Sequence, residues 1–178
     1  MLNLILALIA ATIVAAILFA GAAHKLRAPH RFARQLEDYE LLPGGLVGIT
    51  ARLLPVAELM TAIALLLPIT RSAGALAAAV LLGAYTVAIA INLARGHRDI
   101  DCGCSGPGLE RPLGGALIVR NLVLLALVGV AMLPGAGSDL SAFGLFLVGA
   151  CTAASLIIYI AIEGLLTNQP RLKSLSGG

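Results

Sequence analysis

The sequence predicts an all-α integral membrane protein, a helical bundle of about five transmembrane helices. Of its 178 residues, 60% are hydrophobic and only 12% are charged, whereas a soluble domain carries charge on roughly a quarter of its residues. The mean hydropathy is +1.00. Glycine and alanine are abundant, as in helices that pack closely in lipid. Water is therefore not the main solvent of this chain.

Five apolar runs are long enough, or nearly so, to cross a hydrocarbon core of roughly 30 Å. The first run ends in a sequence similar to a signal-peptidase site. However, no Lys or Arg precedes the run, and the run is longer than the apolar region of about 7–15 residues that signal peptides usually have. We therefore expect an uncleaved helix. The sequence predicts a single helical-bundle domain over residues 1–166, followed by a polar, frayed tail over residues 167–178. The predicted helices cover residues 2–23, 46–69, 73–93, 115–133 and 142–166.

The segment between the first two runs predicts a short amphipathic helix on the membrane surface. Its apolar side chains recur at near-helical spacing, with charged residues between them. An ordinary loop is the alternative. The apolar residues are Phe32, Leu36, Tyr39 and Leu41, and the charged ones are Arg31, Arg34, Glu37 and Asp38.

Lys and Arg residues between the runs predict the orientation, because cytoplasmic loops are enriched in them. One side of the membrane carries only Arg71. The pattern places the N-terminus outside a bacterial cytoplasmic membrane and the loop after the third helix inside it. This topology explains the basic residues, which would lie next to the lipid bilayer. They therefore do not indicate nucleic-acid binding. The other side carries Lys25, Arg27, Arg31, Arg34, Arg95, Arg98, Arg111, Arg171 and Lys173.

Cys102 and Cys104 stand one residue apart, just after the third predicted helix. Two such thiols close a disulfide only through a tight ring, and the intervening glycine supplies the backbone freedom for it. A strained disulfide is labile and donates its bond readily. Two alternatives stay open: half of a metal site completed by His97 and another loop, or two unreactive thiols. The third cysteine, Cys151, reads as a small hydrophobic residue within the fifth helix.

Polar residues inside the predicted spans are the second candidate site. Charges in a membrane segment are expensive and usually face the interior of a bundle or a cavity. Arg52, Asn92, Arg120 and Asn121 fall in the membrane half that bears the cysteine pair, and Glu58 falls deeper. These residues predict either a polar cavity beneath the thiols, able to hold a small cofactor or relay protons, or a buried ion pair that fixes helix register. Glu58 needs a partner on another helix, or else it is protonated.

Six short motifs, in order along the chain, resemble the MauE family of methylamine-utilisation membrane proteins, which is grouped with DoxX-like proteins. Family members typically carry an aromatic residue after the second cysteine of the pair, where this chain has Ser105. The motifs are Lys25-Leu-Arg-Ala-Pro29, Tyr39-Glu-Leu-Leu-Pro43, Leu54-Pro-Val-Ala-Glu58, Asn92-Leu-Ala-Arg-Gly96, Cys102-Gly-Cys-Ser-Gly106 and Arg120-Asn121.

This resemblance implies a four-helix core with one added helix, associated with thiol redox chemistry and with maturation of a disulfide-rich partner. Cys102 and Cys104 would exchange disulfides with a thioredoxin-like or other redox protein. By analogy with other four-helix redox bundles, a membrane quinone near Arg52, Glu58 and Arg120 would accept the electrons. The alternative is a non-catalytic anchor or assembly subunit, in which the cysteines are structural or bind metal.

Overall fold

The computed structural model describes residues 2–97, 100, 113–133 and 141–176, with side chains as far as 165. Within these residues the chain is entirely helical, apart from turns and short connections. Four helices, α1, α3, α4 and the 142–165 portion of α6, are long and apolar enough to span a membrane. The helices are α1 (Leu2–Arg27), α2 (Pro29–Asp38), α3 (Gly44–Leu66), α4 (Arg71–Ala94), α5 (Gly115–Ala131) and α6 (Ala142–Ser176).

The predicted class of helical integral membrane protein is confirmed by these spans. The apolar α5 has 17 residues, which corresponds to about 25 Å at a rise of about 1.5 Å per residue, near the lower limit for a span. The α6 helix continues to Ser176, so the backbone of residues 167–176, expected as a frayed tail, is helical. Residues such as Leu, Gln, Lys and Arg favour a helix whether or not they are in lipid.

The predicted amphipathic helix is present as α2. Proline occupies its first turn, where the missing N–H costs nothing. One side of α2 buries Phe32 against the bundle, while Arg34 and Glu37 on the other side are exposed. The helix ends at Asp38, before Leu41, because Glu40 takes a left-handed backbone conformation with φ of 48° and Pro43 then precedes α3.

Small residues bring the helices together around α1, which packs against α2, α3, α5 and α6. Alanine side chains without rotamer entropy let neighbouring backbones approach closely. The α6 helix is peripheral: α1 is its main contact, and the hydroxyls of Thr12 and Thr152 lie 2.7 Å apart between them. The buried alanines of α1 are Ala7, Ala10, Ala11, Ala15 and Ala22.

The backbones of α3 and α4 lie in close contact at Gly74. A Cβ atom at this position would lie 2.7 Å from the backbone nitrogen of Leu65 and 2.8 Å from the carbonyl carbon of Ala64. The Thr70 hydroxyl also donates a hydrogen bond of 2.9 Å to the carbonyl oxygen of Ala64. Glycine is therefore required here by the closeness of two backbones.

Candidate functional site

A buried ion pair joins α1 to α3. The Lys25 ammonium, in the last turn of α1, contacts Oε1 of Glu58 in the middle of α3, and the two side chains are only 4% and 2% exposed. The Tyr85 hydroxyl of α4 donates a second hydrogen bond of 2.5 Å to the same oxygen. Burial of either charge alone would be costly, so each depends on the other. The partners of Glu58 thus come from two other helices, α1 and α4.

Aromatic rings complete the surroundings of the ammonium. The Lys25 nitrogen lies 5.2 Å from the centre of the Phe32 ring and 5.0 Å from that of Tyr85. Both distances fall within the range of a cation–π interaction. The amphipathic helix α2 therefore positions the pair through Phe32. We call Lys25, Glu58, Tyr85 and Phe32 the buried cluster.

A cavity of about 500 Å³ lies beside the buried cluster, which contributes Lys25, Glu58 and Tyr85 to its lining. The α5 helix contributes Arg120 and Asn121. Its α6 lining includes Tyr159, Glu163 and Gly164, and most of the remainder is aliphatic. A volume of this size is typical of small-molecule sites, which span about 300–1,000 Å³. We call this space the polar cavity.

A second ion pair in the lining joins α5 to α6. The guanidinium of Arg120 lies 3.8 Å from the Glu163 carboxylate, and these side chains are 13% and 19% exposed. A second guanidinium nitrogen of Arg120 lies 3.4 Å from the Asn121 side-chain oxygen, which makes a weak hydrogen bond. The two acids and the Lys and Arg of the lining are thus arranged as two pairs of opposite charge.

Outside the Arg120 guanidinium, which contacts Glu163 and Asn121, two buried polar atoms in this lining have no hydrogen-bond partner among the described residues. They are Oε2 of Glu58 and Nδ2 of Asn121. Glu58 is 2% exposed and Asn121 is 1% exposed. Buried polar groups are nearly always hydrogen-bonded. Glu58 and Asn121 therefore offer one hydrogen-bond acceptor and one donor to a molecule in the cavity.

A smaller, mainly apolar cavity of about 270 Å³ lies between α2, α3 and α4. Lys25 and Tyr85 line it as well as the polar cavity. The buried cluster thus stands between two spaces. A change in its packing would alter both of them.

The structure brings together two of the four residues predicted from the sequence to form a cofactor site. Glu58 and Arg120 line the polar cavity, whereas Arg52 is exposed on α3 and is not part of the lining. Asn92 is fully buried but lies outside the lining. Its amide donates to the carbonyl oxygens of Tyr39 and Ala88, each at 3.2 Å. That amide ties α4 to the chain between α2 and α3.

The predicted catalytic residues Cys102 and Cys104 lie outside the described residues. The described residues on either side of them are joined, since the Leu113 N–H donates a hydrogen bond of 3.1 Å to the carbonyl oxygen of Ile100. Leu113 packs with Ile89 of α4, and Ile100 packs against the same cluster. Ile100 and Leu113 therefore lie together at the end of the bundle where α4 ends and α5 begins. Among the described residues, no group of three His, Cys, Asp or Glu could hold a metal ion.

Sequence reasoning misses the role of Lys25 and the hydrogen bond from Tyr85 to Glu58. The sequence pattern places Lys25 in the loop after the first apolar run, but α1 continues to Arg27 and carries Lys25 into the bundle. One signal was available: Lys25 opens the first family motif, and its partner Glu58 closes the third. Cys151, expected as a small hydrophobic residue, is a partly buried free cysteine of α6.

Comparison with known proteins identifies relatives of the chain. Residues 3–134 match the model of the family described as methylamine utilisation protein MauE. The chain is 39% identical over 158 residues to methylamine utilization protein MauE of Methylophilus methylotrophus, covering 88% of this chain and 80% of that protein. The same-named protein of Paracoccus denitrificans is 41% identical over 113 residues, covering 63% of this chain and 61% of its own length. No solved structure matches. The resemblance predicted from the six motifs is confirmed.

Proposed function

Because the chain belongs to the methylamine utilisation protein MauE family, we propose that it serves methylamine utilisation as a membrane-embedded thiol–disulfide redox protein. It would support the oxidation or maturation of a partner redox protein. The observation that carries this proposal is the Cys102-Gly-Cys104 pair, which lies within the matched residues 3–134, whereas Cys151 lies beyond them. A pair of thiols one residue apart is suited to switching between dithiol and disulfide.

The exchange follows ordinary thiol–disulfide chemistry. A thiolate of the partner attacks the Cys102–Cys104 disulfide, and a mixed disulfide forms as one cysteine of the pair leaves as thiolate. The partner's second thiolate then displaces the other, so that the partner gains a disulfide and the pair is left as two thiols. Two electrons pass to the pair in each cycle and must leave it before the next. Ile100 and Leu113, which flank the segment bearing the pair, are joined by a hydrogen bond, and this supports an exchange site at the end of the bundle where α4 ends and α5 begins.

The side of the membrane follows from the Lys and Arg distribution. With the N-terminus outside, the Cys102–Cys104 segment faces the cytoplasm. A thioredoxin-like partner would then dock on that side, and disulfide delivery to an extracytoplasmic protein would require electrons to cross the bilayer.

A second candidate function is a non-catalytic anchor or assembly subunit of a redox complex. The buried Lys25–Glu58 pair favours it, because an ion pair between helices is by itself a device for fixing helix register. On this reading, replacement of both cysteines has little effect, whereas replacement of Glu58 or Arg120 destabilises the complex. The redox proposal expects the reverse order for activity.

Trapping of the mixed disulfide tests the redox proposal. Cys102→Ser and Cys104→Ser are each introduced into a Cys151→Ser background, cells are quenched with acid, and membranes are resolved without reductant. At least one single variant is expected to show an adduct of higher mass that reductant removes, because the remaining thiol cannot be released by its neighbour. The variant lacking both cysteines is the control and should show none. Absence of any adduct in both single variants, at normal protein levels, contradicts the proposal.

A further inference from the structure

The polar cavity carries an inference beyond the thiols. The Lys, Arg and Glu side chains of its lining, which also contains His24, balance in charge, since Lys25 pairs with Glu58 and Arg120 lies near Glu163. An ionic ligand would bring an uncompensated charge into this space, which is costly away from water. The cavity therefore suits an uncharged molecule. Neither a small ammonium ion nor a carboxylate fits that balance.

The two unpartnered atoms restrict the functional groups that the ligand can carry. Asn121 Nδ2 is a donor in need of an acceptor, and Glu58 Oε2 is an acceptor in need of a donor. An uncharged ligand that satisfies both must carry an oxygen that accepts and a hydroxyl that donates. The quinol form of a quinone has both, and the oxidised form can still accept from Asn121.

The rest of the lining suits a ring with an aliphatic tail. The side chains of Tyr85 and Tyr159 provide aromatic surfaces, which pair favourably with another ring. Leu124, Leu156 and Ile160 provide aliphatic surface. We propose that the polar cavity binds the head group of a membrane quinone and its quinol, held by Glu58 and Asn121.

The electron-accepting role of this ligand rests on the proposed function, although its binding does not. Oxidation of the Cys102 and Cys104 thiols to a disulfide releases two electrons and two protons. A quinone takes up the same two electrons and two protons and becomes a quinol. The cycle then balances without any further oxidant, and the quinol leaves into the bilayer.

Photolabelling tests the site. The full chain in phosphatidylcholine nanodiscs is irradiated with a short-tailed azidoquinone, with and without an excess of unlabelled short-tailed quinol, and labelled peptides are mapped. Label is expected at residues that line the polar cavity, which come from α1, α3, α4, α5 and α6, and should disappear with the competitor. Label that the competitor does not reduce, or that lies elsewhere, overturns the proposal.

Two variants make the test specific. Gly164→Phe adds a ring to the cavity lining at a position where a Cβ meets nothing within 4 Å, and Asn121→Leu removes the donor at similar volume. Each variant is expected to weaken competable labelling at least about tenfold. Asn121→Leu would do so by removing one buried hydrogen bond to the ligand, and Gly164→Phe by occupying the space of the ligand. Asn3→Leu, the same exchange at an exposed site, is the matched control and should label as the unaltered chain does. Equal labelling of all three overturns the proposal.

A variant lacking both Cys102 and Cys104 separates this inference from the proposed function. Retained labelling in that variant, together with no mixed disulfide in the trapping experiment, leaves the quinone site intact and removes the redox role. A trapped mixed disulfide with no competable labelling supports the redox role and rules out the quinone site.

Discussion

Replacement of Lys25 by methionine is expected to lower the free energy of unfolding by about 3–5 kcal/mol, the cost of leaving a buried charge without its partner. Methionine keeps most of the length and apolar contact of the lysine stem but removes the ammonium. The Glu58 carboxylate is 2% exposed and would keep only the Tyr85 hydroxyl on Oε1. The loss is measured by denaturant unfolding in detergent, followed by circular dichroism.

A matched control and a double variant isolate the cause. Arg27→Met makes a similar exchange in the same turn of α1 at an exposed position, and it should change stability little. Combining Lys25→Met with Glu58→Leu removes both charges and should recover most of the loss, because a buried pair replaced by apolar groups is often nearly neutral. A Lys25→Met variant as stable as Arg27→Met would show that the pair does not hold α1 against α3.

Replacement of Gly74 by valine is expected to cost about 3 kcal/mol, the upper part of the range for overpacking. Its Cβ would lie 2.7 Å from the backbone nitrogen of Leu65. Because backbone rather than a flexible side chain is in the way, α3 and α4 must separate. Thermal unfolding in detergent measures the effect.

Gly83→Val is the matched control for Gly74. It lies on the same helix and makes the same exchange, but its Cβ would meet nothing within 4 Å. It should change stability by less than about 1 kcal/mol, through helix propensity alone. Equal losses at the two positions would contradict the close approach of α3 and α4.

The sequence was sufficient to predict the helical membrane fold and the amphipathic helix, because both depend on hydropathy and its period along the chain. Helix ends were less predictable. An apolar run ends at its first charge, but a helix continues while its backbone is hydrogen-bonded, and so α1 extends past residue 23 to Arg27. That extension brings Lys25 to Glu58, a contact between residues far apart in the sequence.

The candidate site was predictable only in part, for a related reason. The depth of a polar residue in a span can be counted from the sequence, and this correctly singled out Glu58 and Arg120 as residues of the bundle interior. The direction in which a side chain points depends on how its helix is rotated in the bundle. The apolar helices show no marked amphipathic face, so the exposure of Arg52 and the inward position of Tyr85 had no clear signal in the sequence.

Methylamine-dependent growth of the native host is the most direct test of the proposed function. The chromosomal copy is replaced by a variant carrying Cys102→Ser and Cys104→Ser, with Cys151→Ser as the matched control. The double variant is expected to grow normally on another carbon source and to fail on methylamine, while the control grows on both. Growth of the double variant on methylamine at the normal rate, with the protein present in the membrane, would contradict a redox role for the pair.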